Sequence, residues 1–163
     1  MMYSDPLAFL LTFTTYGTWL HGSVKGSVDA QHNRYGDDFI EEDAEWERQE
    51  FSKLKCPPVY LSEQQRTIIE SAMREACEFR QWFLHEINVR TNHVHVVVTA
   101  DENPKKIIEK LKTRATMAIR HQNCHQSRNR KVAEPPLWTR GGSGRYLWNE
   151  EAVQAACKYV REQ

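Results

Sequence analysis

Two histidines stand two positions apart in a short apolar run, Asn92-His-Val-His-Val-Val-Val98. In a β-strand, residues two apart point to the same face and lie about 7 Å from each other. At that spacing two imidazole nitrogens can converge on one metal ion. His93 and His95 are therefore candidate metal ligands; the alternative is a pair of half-buried structural histidines on a sheet face. Two imidazoles alone suit Mn, Zn, Ni or Cu better than Mg, whereas an added oxygen ligand and a substrate phosphate bring hard divalent ions into range.

A tyrosine and a glutamine form a second pair. Tyr159 and Gln163 are four positions apart in a sequence with helical periodicity, so they share one helix face. A phenol beside a divalent cation can attack a phosphodiester and form a phosphotyrosine bond, and the amide oxygen of Gln163 can serve as a third metal ligand. The alternative is that the Tyr159 ring packs at an interface. Together the two pairs are the parts needed to cut a nucleic acid with a tyrosine.

The elements that must position these residues follow from hydrophobic periodicity. Strands are predicted at residues 9–15, 82–89 and 94–99, and a strand or β-ribbon with a glycine bend at 137–148. Helices are predicted at 104–121, at 150–163 and from a capping box at Ser62. The strands at 82–89 and 94–99 form a hairpin, with Val94, Val96 and Val98 in the core and the histidines on the other face. This order predicts an α+β fold: a ferredoxin-like or RRM-like antiparallel sheet with helices packed on one face and a C-terminal helix that carries the tyrosine.

The charge is unevenly distributed along the chain. Residues 1–163 are predicted to form one domain with a loop-rich, acidic insertion at about 16–60. Within it, residues 37–50 contain eight carboxylates and one arginine and are predicted to include a short helix, whereas residues 80–148 contain thirteen Lys or Arg and five Asp or Glu. The formal net charge of zero is therefore a cancellation. A basic second half attracts phosphates at short range.

The remaining composition favours a cytoplasmic protein. The four cysteines are scattered, with no C-x-x-C motif, which fits a reducing compartment. No secretory signal is visible at the start of the sequence, and no apolar run approaches the ~20 residues that would span a membrane.

Three segments resemble the single-tyrosine HUH transposases, which mobilise small insertion sequences as single-stranded DNA, and their relatives, the REP-associated tyrosine transposases. These segments are Asn92-His-Val-His95, Leu137-Trp-Thr-Arg-Gly-Gly-Ser-Gly-Arg-Tyr146 and Asn149-Glu-Glu…Lys158-Tyr-Val-Arg-Glu-Gln163. The resemblance covers residues 9–163 apart from the insertion. It implies that His93, His95 and Gln163 bind Mg²⁺ or Mn²⁺ and that Tyr159 is the nucleophile. It also implies hairpins in single-stranded DNA as substrate, a 5′-phosphotyrosine intermediate and, often, a homodimer.

DNA contacts are predicted on basic side chains of the second half and on aromatic and basic residues of the insertion. The basic set is Lys105, Lys106, Lys110, Lys112, Arg114, Arg128, Arg130, Lys131, Arg140 and Arg145. The insertion set, which could stack on or read unpaired bases, is Tyr16, Trp19, His21, Arg34 and Tyr35. For any single lysine, a solvated surface position is the alternative.

Three other functions are compatible with parts of the pattern. A domesticated relative would bind hairpin DNA without cleaving it, a metal-dependent phosphoesterase would use water in place of Tyr159, and an RRM-like RNA-binding module would need exposed aromatic side chains on the sheet face.

His121, Cys124 and His125 suggest zinc but lack the spacing of a known finger. Asp101 and Glu102 could supply a carboxylate to the site or cap the following helix.

Overall fold

Four antiparallel strands form one sheet, and the histidine strand is central in it. The computed structural model describes residues 5–18, 44–126 and 134–163. Within these ranges the elements are β1 Ala8–Thr14, α1 Ala44–Ser52, α2 Glu63–Phe79, β2 Phe83–Val89, β3 His93–Thr99, α3 Pro104–Gln126, β4 Ser143–Leu147 and α4 Glu150–Glu162. The strand order is β2-β3-β1-β4, and every neighbouring pair is antiparallel. The predicted α+β class is confirmed.

Two helices begin at the caps that the sequence predicts. At the start of α2, the Gln65 N–H donates to Ser62 Oγ over 3.2 Å and the Ser62 N–H donates to Gln65 Oε1 over 2.9 Å, which completes the capping box. At the start of α4, the Ala152 N–H donates to Asn149 Oδ1 over 2.8 Å. These bonds satisfy backbone donors that a helix N-terminus otherwise leaves without partners.

Two predicted boundaries are wrong. Helix α3 continues past the predicted end at about His121 to Gln126, the last residue of that described range, because the sequence offers no proline or glycine to stop it there. Strand β4 covers only Ser143–Leu147 rather than all of 137–148. The predicted glycine bend is present, because Gly141 and Gly142 have φ values of 80° and 149°, and the strand begins after it.

The sheet buries both of its faces. On one face, Val94, Val96 and Val98 pack with residues of α2 and α3 in the larger core cluster, as predicted. On the other face, Val97 packs with β1, with Leu147 and with two residues of α4, Ala156 and Val160. The histidine face is therefore covered by the tyrosine helix, which makes it more buried than the alternation alone suggests.

The insertion is described at its two ends only. Tyr16 joins them: its backbone N–H donates to Leu137 O, its carbonyl accepts from Val59 N–H, and its hydroxyl accepts from Lys55 N–H. The helix predicted in 37–50 is found at Ala44–Ser52, and residues 37–43 lie outside the described ranges. None of the helices in the described part of the chain combines the length and apolar character needed to cross a bilayer.

Candidate active site

His93 and His95 lie side by side on β3, with their ring centroids 4.8 Å apart and their planes at 72°. Strand register places them opposite Thr14 and Thr12 of β1, respectively. His93 is half-buried and His95 is 6% exposed. The predicted pairing of the two imidazoles on one sheet face is therefore present in the fold.

Hydrogen bonds orient both rings. The Nδ1 atom of His93 lies 2.7 Å from Asn92 Oδ1, and because an amide oxygen only accepts, Nδ1 is the protonated nitrogen. The lone pair of His93 is then on Nε2. The Nδ1 atom of His95 lies 2.9 Å from the Thr12 hydroxyl. Metal-binding histidines commonly use the second ring nitrogen in this way to fix their orientation.

Burial keeps His95 neutral near pH 7. Loss of hydration lowers the pKa of His95 to about 4, with a smaller contribution from repulsion by His93. A neutral imidazole has a lone pair to give to a metal, whereas an imidazolium does not. The electrostatics of this position are those of a ligand that needs no deprotonation to bind a cation.

Tyr159 lies against His95 within the same chain. The centroids of the two rings are 5.4 Å apart and their planes meet at 72°, an edge-to-face contact. The tyrosine side chain is 45% exposed. The structure therefore brings together His93, His95 and Tyr159, three residues that the sequence separates by up to 66 positions (159 minus 93).

Three polar residues hold this arrangement, and the sequence analysis did not predict their roles. Thr12 orients His95. Asn88 Nδ2 donates to the carbonyl of Val160 over 2.9 Å, and Glu86 Oε2 accepts from Arg161 Nε and Nη2 over 3.1 and 2.9 Å. The polar alternation of β2 indicates that Glu86 and Asn88 share a face. Their hydrogen-bond partners are more than 70 residues away in the chain, so the local sequence does not predict them.

Gln163 occupies the C-cap position of α4, one turn beyond Tyr159, and is exposed. Among the described residues, no three or more His, Cys, Asp or Glu side chains gather as a metal-binding group. Within the described part of the chain, the Gln163 amide oxygen is the donor that the sequence analysis offers to a metal held by His93 and His95. The role of Gln163 stays a prediction.

The carboxylate and zinc alternatives find no support in the described ranges. Glu102 accepts from Lys110 Nζ over 2.5 and 2.6 Å, so its carboxylate is engaged in an ion pair. Asp101 is exposed after β3. His121 and Cys124 are exposed near the end of α3, and the His125 side chain lies outside what the structure describes.

The basic residues of α3 lie on the opposite side of the sheet from Tyr159, because α3 packs in the larger core cluster. Lys105 and Lys106 are exposed on its first turn. Lys110 pairs with Glu102, and Arg114 pairs with Glu75 over 3.0 Å. Lys112 donates to the carbonyls of Thr139 and Gly141.

The other predicted DNA contacts are dispersed. Arg140 is exposed in the turn before β4, and Arg145 on β4 is opposite Leu10, so it belongs to the face that α4 covers. Tyr16 is half-buried. The remaining members lie outside the described residues: Trp19, His21, Arg34, Tyr35, Arg128, Arg130 and Lys131. DNA binding by this set stays a prediction.

The fold and the site together define an α+β protein with a histidine pair on a central strand and a tyrosine on the C-terminal helix. The family profile described as "Transposase IS200 like" matches residues 57–163, more than half of the chain. The chain therefore belongs to the IS200-like transposase family, as the sequence resemblance indicates. No curated protein matches the sequence.

Two solved structures share the fold. A provisionally assigned transposase from Deinococcus radiodurans R1 is 11% identical, with a TM-score of 0.51, over 100% of this chain and 95% of that one. A REP-associated tyrosine transposase bound to a REP hairpin is 12% identical, with a TM-score of 0.54, over 98% of this chain and 67% of that one. At these identities the likeness concerns the fold.

Proposed function

We propose that this transposase cleaves and rejoins single-stranded DNA through a covalent bond between Tyr159 and a 5′ phosphate. One observation carries the proposal. The centroid of the Tyr159 ring lies 5.4 Å from the centroid of the His95 ring, and the centroids of the His95 and His93 rings are 4.8 Å apart, all in one chain. A half-exposed phenol next to two imidazoles supports a nucleophilic role for Tyr159 beside candidate metal ligands.

Two imidazoles with an added amide oxygen and a substrate phosphate would suit Mn²⁺ or Mg²⁺. His95 is neutral because its pKa is lowered to about 4, and the His93 lone pair lies on Nε2 because Nδ1 donates to Asn92. His93 and His95 would hold the ion with Gln163 as the third protein ligand. When bound, the ion would polarise the non-bridging oxygens of the phosphate that is attacked.

The residues of the chain then carry the reaction. The Tyr159 phenol loses its proton to solvent, and its oxygen forms a bond to phosphorus as the bond from phosphorus to the 3′ oxygen breaks. The leaving oxygen takes up a proton and becomes a 3′-OH. A 3′-OH of another strand can reverse the step, so the DNA is rejoined without ATP.

The substrate we propose is a hairpin within single-stranded DNA. The chain shares its fold with a REP-associated tyrosine transposase bound to a REP hairpin. Exposed cations of this chain, including Lys105, Lys106 and Arg140, can contact phosphates. A homodimer is compatible with this proposal, and Tyr159 would then act at the histidines of its own subunit.

A covalent adduct tests the proposal. Wild-type protein incubated with Mn²⁺ and single-stranded hairpin oligonucleotides should give a species that resists SDS, together with a released strand that ends in 3′-OH. Tyr159→Phe should give none. Tyr146→Phe is a matched control, since Tyr146 is 46% exposed and Tyr159 is 45% exposed; it should retain the adduct.

Other outcomes would identify the alternatives. A free 5′ phosphate that forms equally with Tyr159→Phe would indicate a metal-dependent phosphoesterase. Tight hairpin binding without any cleavage would indicate a domesticated DNA-binding protein. Either result would refute the nucleophilic role of Tyr159.

A further inference from the structure

Strand β2 contains a bulge that changes which of its side chains meet the tyrosine helix. Leu84 is opposite Val98, but Glu86 is opposite Val97, so the register shifts at His85. In an uninterrupted strand, Leu84, Glu86 and Asn88 would share one face. With the extra residue, Leu84 packs on the larger core cluster, whereas Glu86 and Asn88 turn to the face that α4 covers.

Asn88 contacts the helix beside the tyrosine. It is directly opposite His95 in the β2–β3 register, and its Nδ2 donates to Val160 O over 2.9 Å. Val160 lies in the last turn of α4, where carbonyl groups have no donor within the helix. A single side chain therefore links the strand that neighbours His95 to the backbone of the residue that follows Tyr159.

The ion pair between Glu86 and Arg161 acts on the same turn but is more exposed. The Arg161 side chain is 69% exposed and the Glu86 side chain is 21% exposed. Exposed ion pairs are screened by salt and contribute little to rigidity. Asn88 is half-buried and forms a directional bond to a backbone atom of the turn, and this neutral contact is not screened by salt.

We infer that Asn88 is a positioning residue for Tyr159, because its bond to Val160 O holds the last turn of α4 so that the phenol ring stays against His95. The effect of this contact on reaction rate rests on the proposed function; the placement of the ring does not. A displacement of about 1 Å at a reacting group can reduce a rate by about a hundredfold.

The test compares Asn88→Leu with Gln154→Leu. Leucine has the same number and branching of side-chain heavy atoms as asparagine but no N–H donor. Gln154 is an exposed amide nearer the start of α4, so Gln154→Leu is the control for the same type of change. At saturating hairpin DNA and Mn²⁺, the rate constant for adduct formation should fall about 10- to 100-fold in Asn88→Leu. Hairpin affinity should stay within about twofold of wild type, since Asn88 contacts α4. Gln154→Leu should match wild type in both.

A second readout reports the ring itself. With 3-fluorotyrosine incorporated at position 159, the ¹⁹F resonance of the folded protein should differ from that in urea, because the His95 ring lies against it. In Asn88→Leu the resonance should move towards the urea value, and in Gln154→Leu it should not. If Asn88→Leu does not fold, Asn88→Ser, which is too short to reach Val160 O, replaces it.

Each result decides the inference. A shifted ¹⁹F resonance with a reduced saturating rate supports it. An unchanged resonance overturns it, because Asn88 then does not place the ring. A shifted resonance with a rate within about twofold of wild type overturns the part of the inference that concerns the reaction rate. If wild type forms no adduct on any hairpin, the proposed function fails, while the fluorine comparison still decides whether Asn88 places the ring.

Discussion

At the scale of single residues, His95 is a titratable side chain that the fold holds away from water. It is 6% exposed, and its Nδ1 is within hydrogen-bonding distance of the Thr12 hydroxyl. Its pKa is lowered from 6.5 to about 4, mainly by burial. Between about pH 4 and pH 6.5, the His95 imidazole is therefore mostly protonated in the unfolded chain and mostly neutral in the folded chain.

The free energy of unfolding of the metal-free protein should consequently fall as the pH falls from about 6.5 towards 4. One such histidine accounts for a loss of about 2 kcal/mol between pH 7.5 and pH 5. Urea unfolding in EDTA at several pH values measures it. His95→Asn, which keeps a donor near Thr12 but cannot titrate, should lose that part of the dependence. Equal pH slopes for wild type and His95→Asn would contradict the burial argument.

At the scale of the elements, the turn that precedes β4 is held by α3. Lys112 Nζ donates to the carbonyls of Thr139 and Gly141 and lies 5.5 Å from the centre of the Phe13 ring. Burial lowers the pKa of Lys112 to about 8. This lysine, predicted as a DNA contact, has a structural role in fixing the turn that carries Arg140.

Lys112→Met should therefore act on stability. The variant leaves two carbonyls without their donor, which should reduce the free energy of unfolding by about 1–3 kcal/mol. Lys105→Met, at an exposed position on the same helix, should change it by less than about 0.5 kcal/mol. Urea unfolding gives the stabilities, and hairpin titrations at several salt concentrations show which lysine contacts phosphate. If the two variants had equal stability, the structural assignment of Lys112 would be wrong.

Local sequence patterns predict most of the helices and strands, but they do not predict which residues of those elements contact one another. The caps at Ser62 and Asn149 and the alternation of Val94, Val96 and Val98 depend on neighbours in sequence, so the elements they define could be predicted. The bulge at His85 and the bond from Asn88 to Val160 depend on residues far apart in the chain. For the same reason, the residues of the candidate site could be named in advance, while Thr12, Glu86 and Asn88, which hold them, could not.

At the scale of the whole molecule, α4 packs on the sheet of its own chain. Ala156 and Val160 are buried against Val97 and β1, and Tyr159 meets His95 there. A single chain thus brings the two histidines and the tyrosine together.

Mixing two inactive variants tests this arrangement. If Tyr159 acts at the histidines of its own chain, co-expressed Tyr159→Phe and His93→Ala proteins should give no adduct with hairpin DNA. Wild type co-expressed with the double variant serves as the control and should retain adduct. Recovery of adduct in the first mixture would mean that the tyrosine of one chain acts at the histidines of another chain.

Tyr159 is 45% exposed while its ring contacts His95. A DNA end could therefore join the tyrosine while Ala156 and Val160 stayed buried against the sheet. The tethered intermediate would therefore need no partial unwinding of the helix between breaking one strand and sealing the next. The tyrosine could then act from one position both in the cleavage step and in the rejoining step.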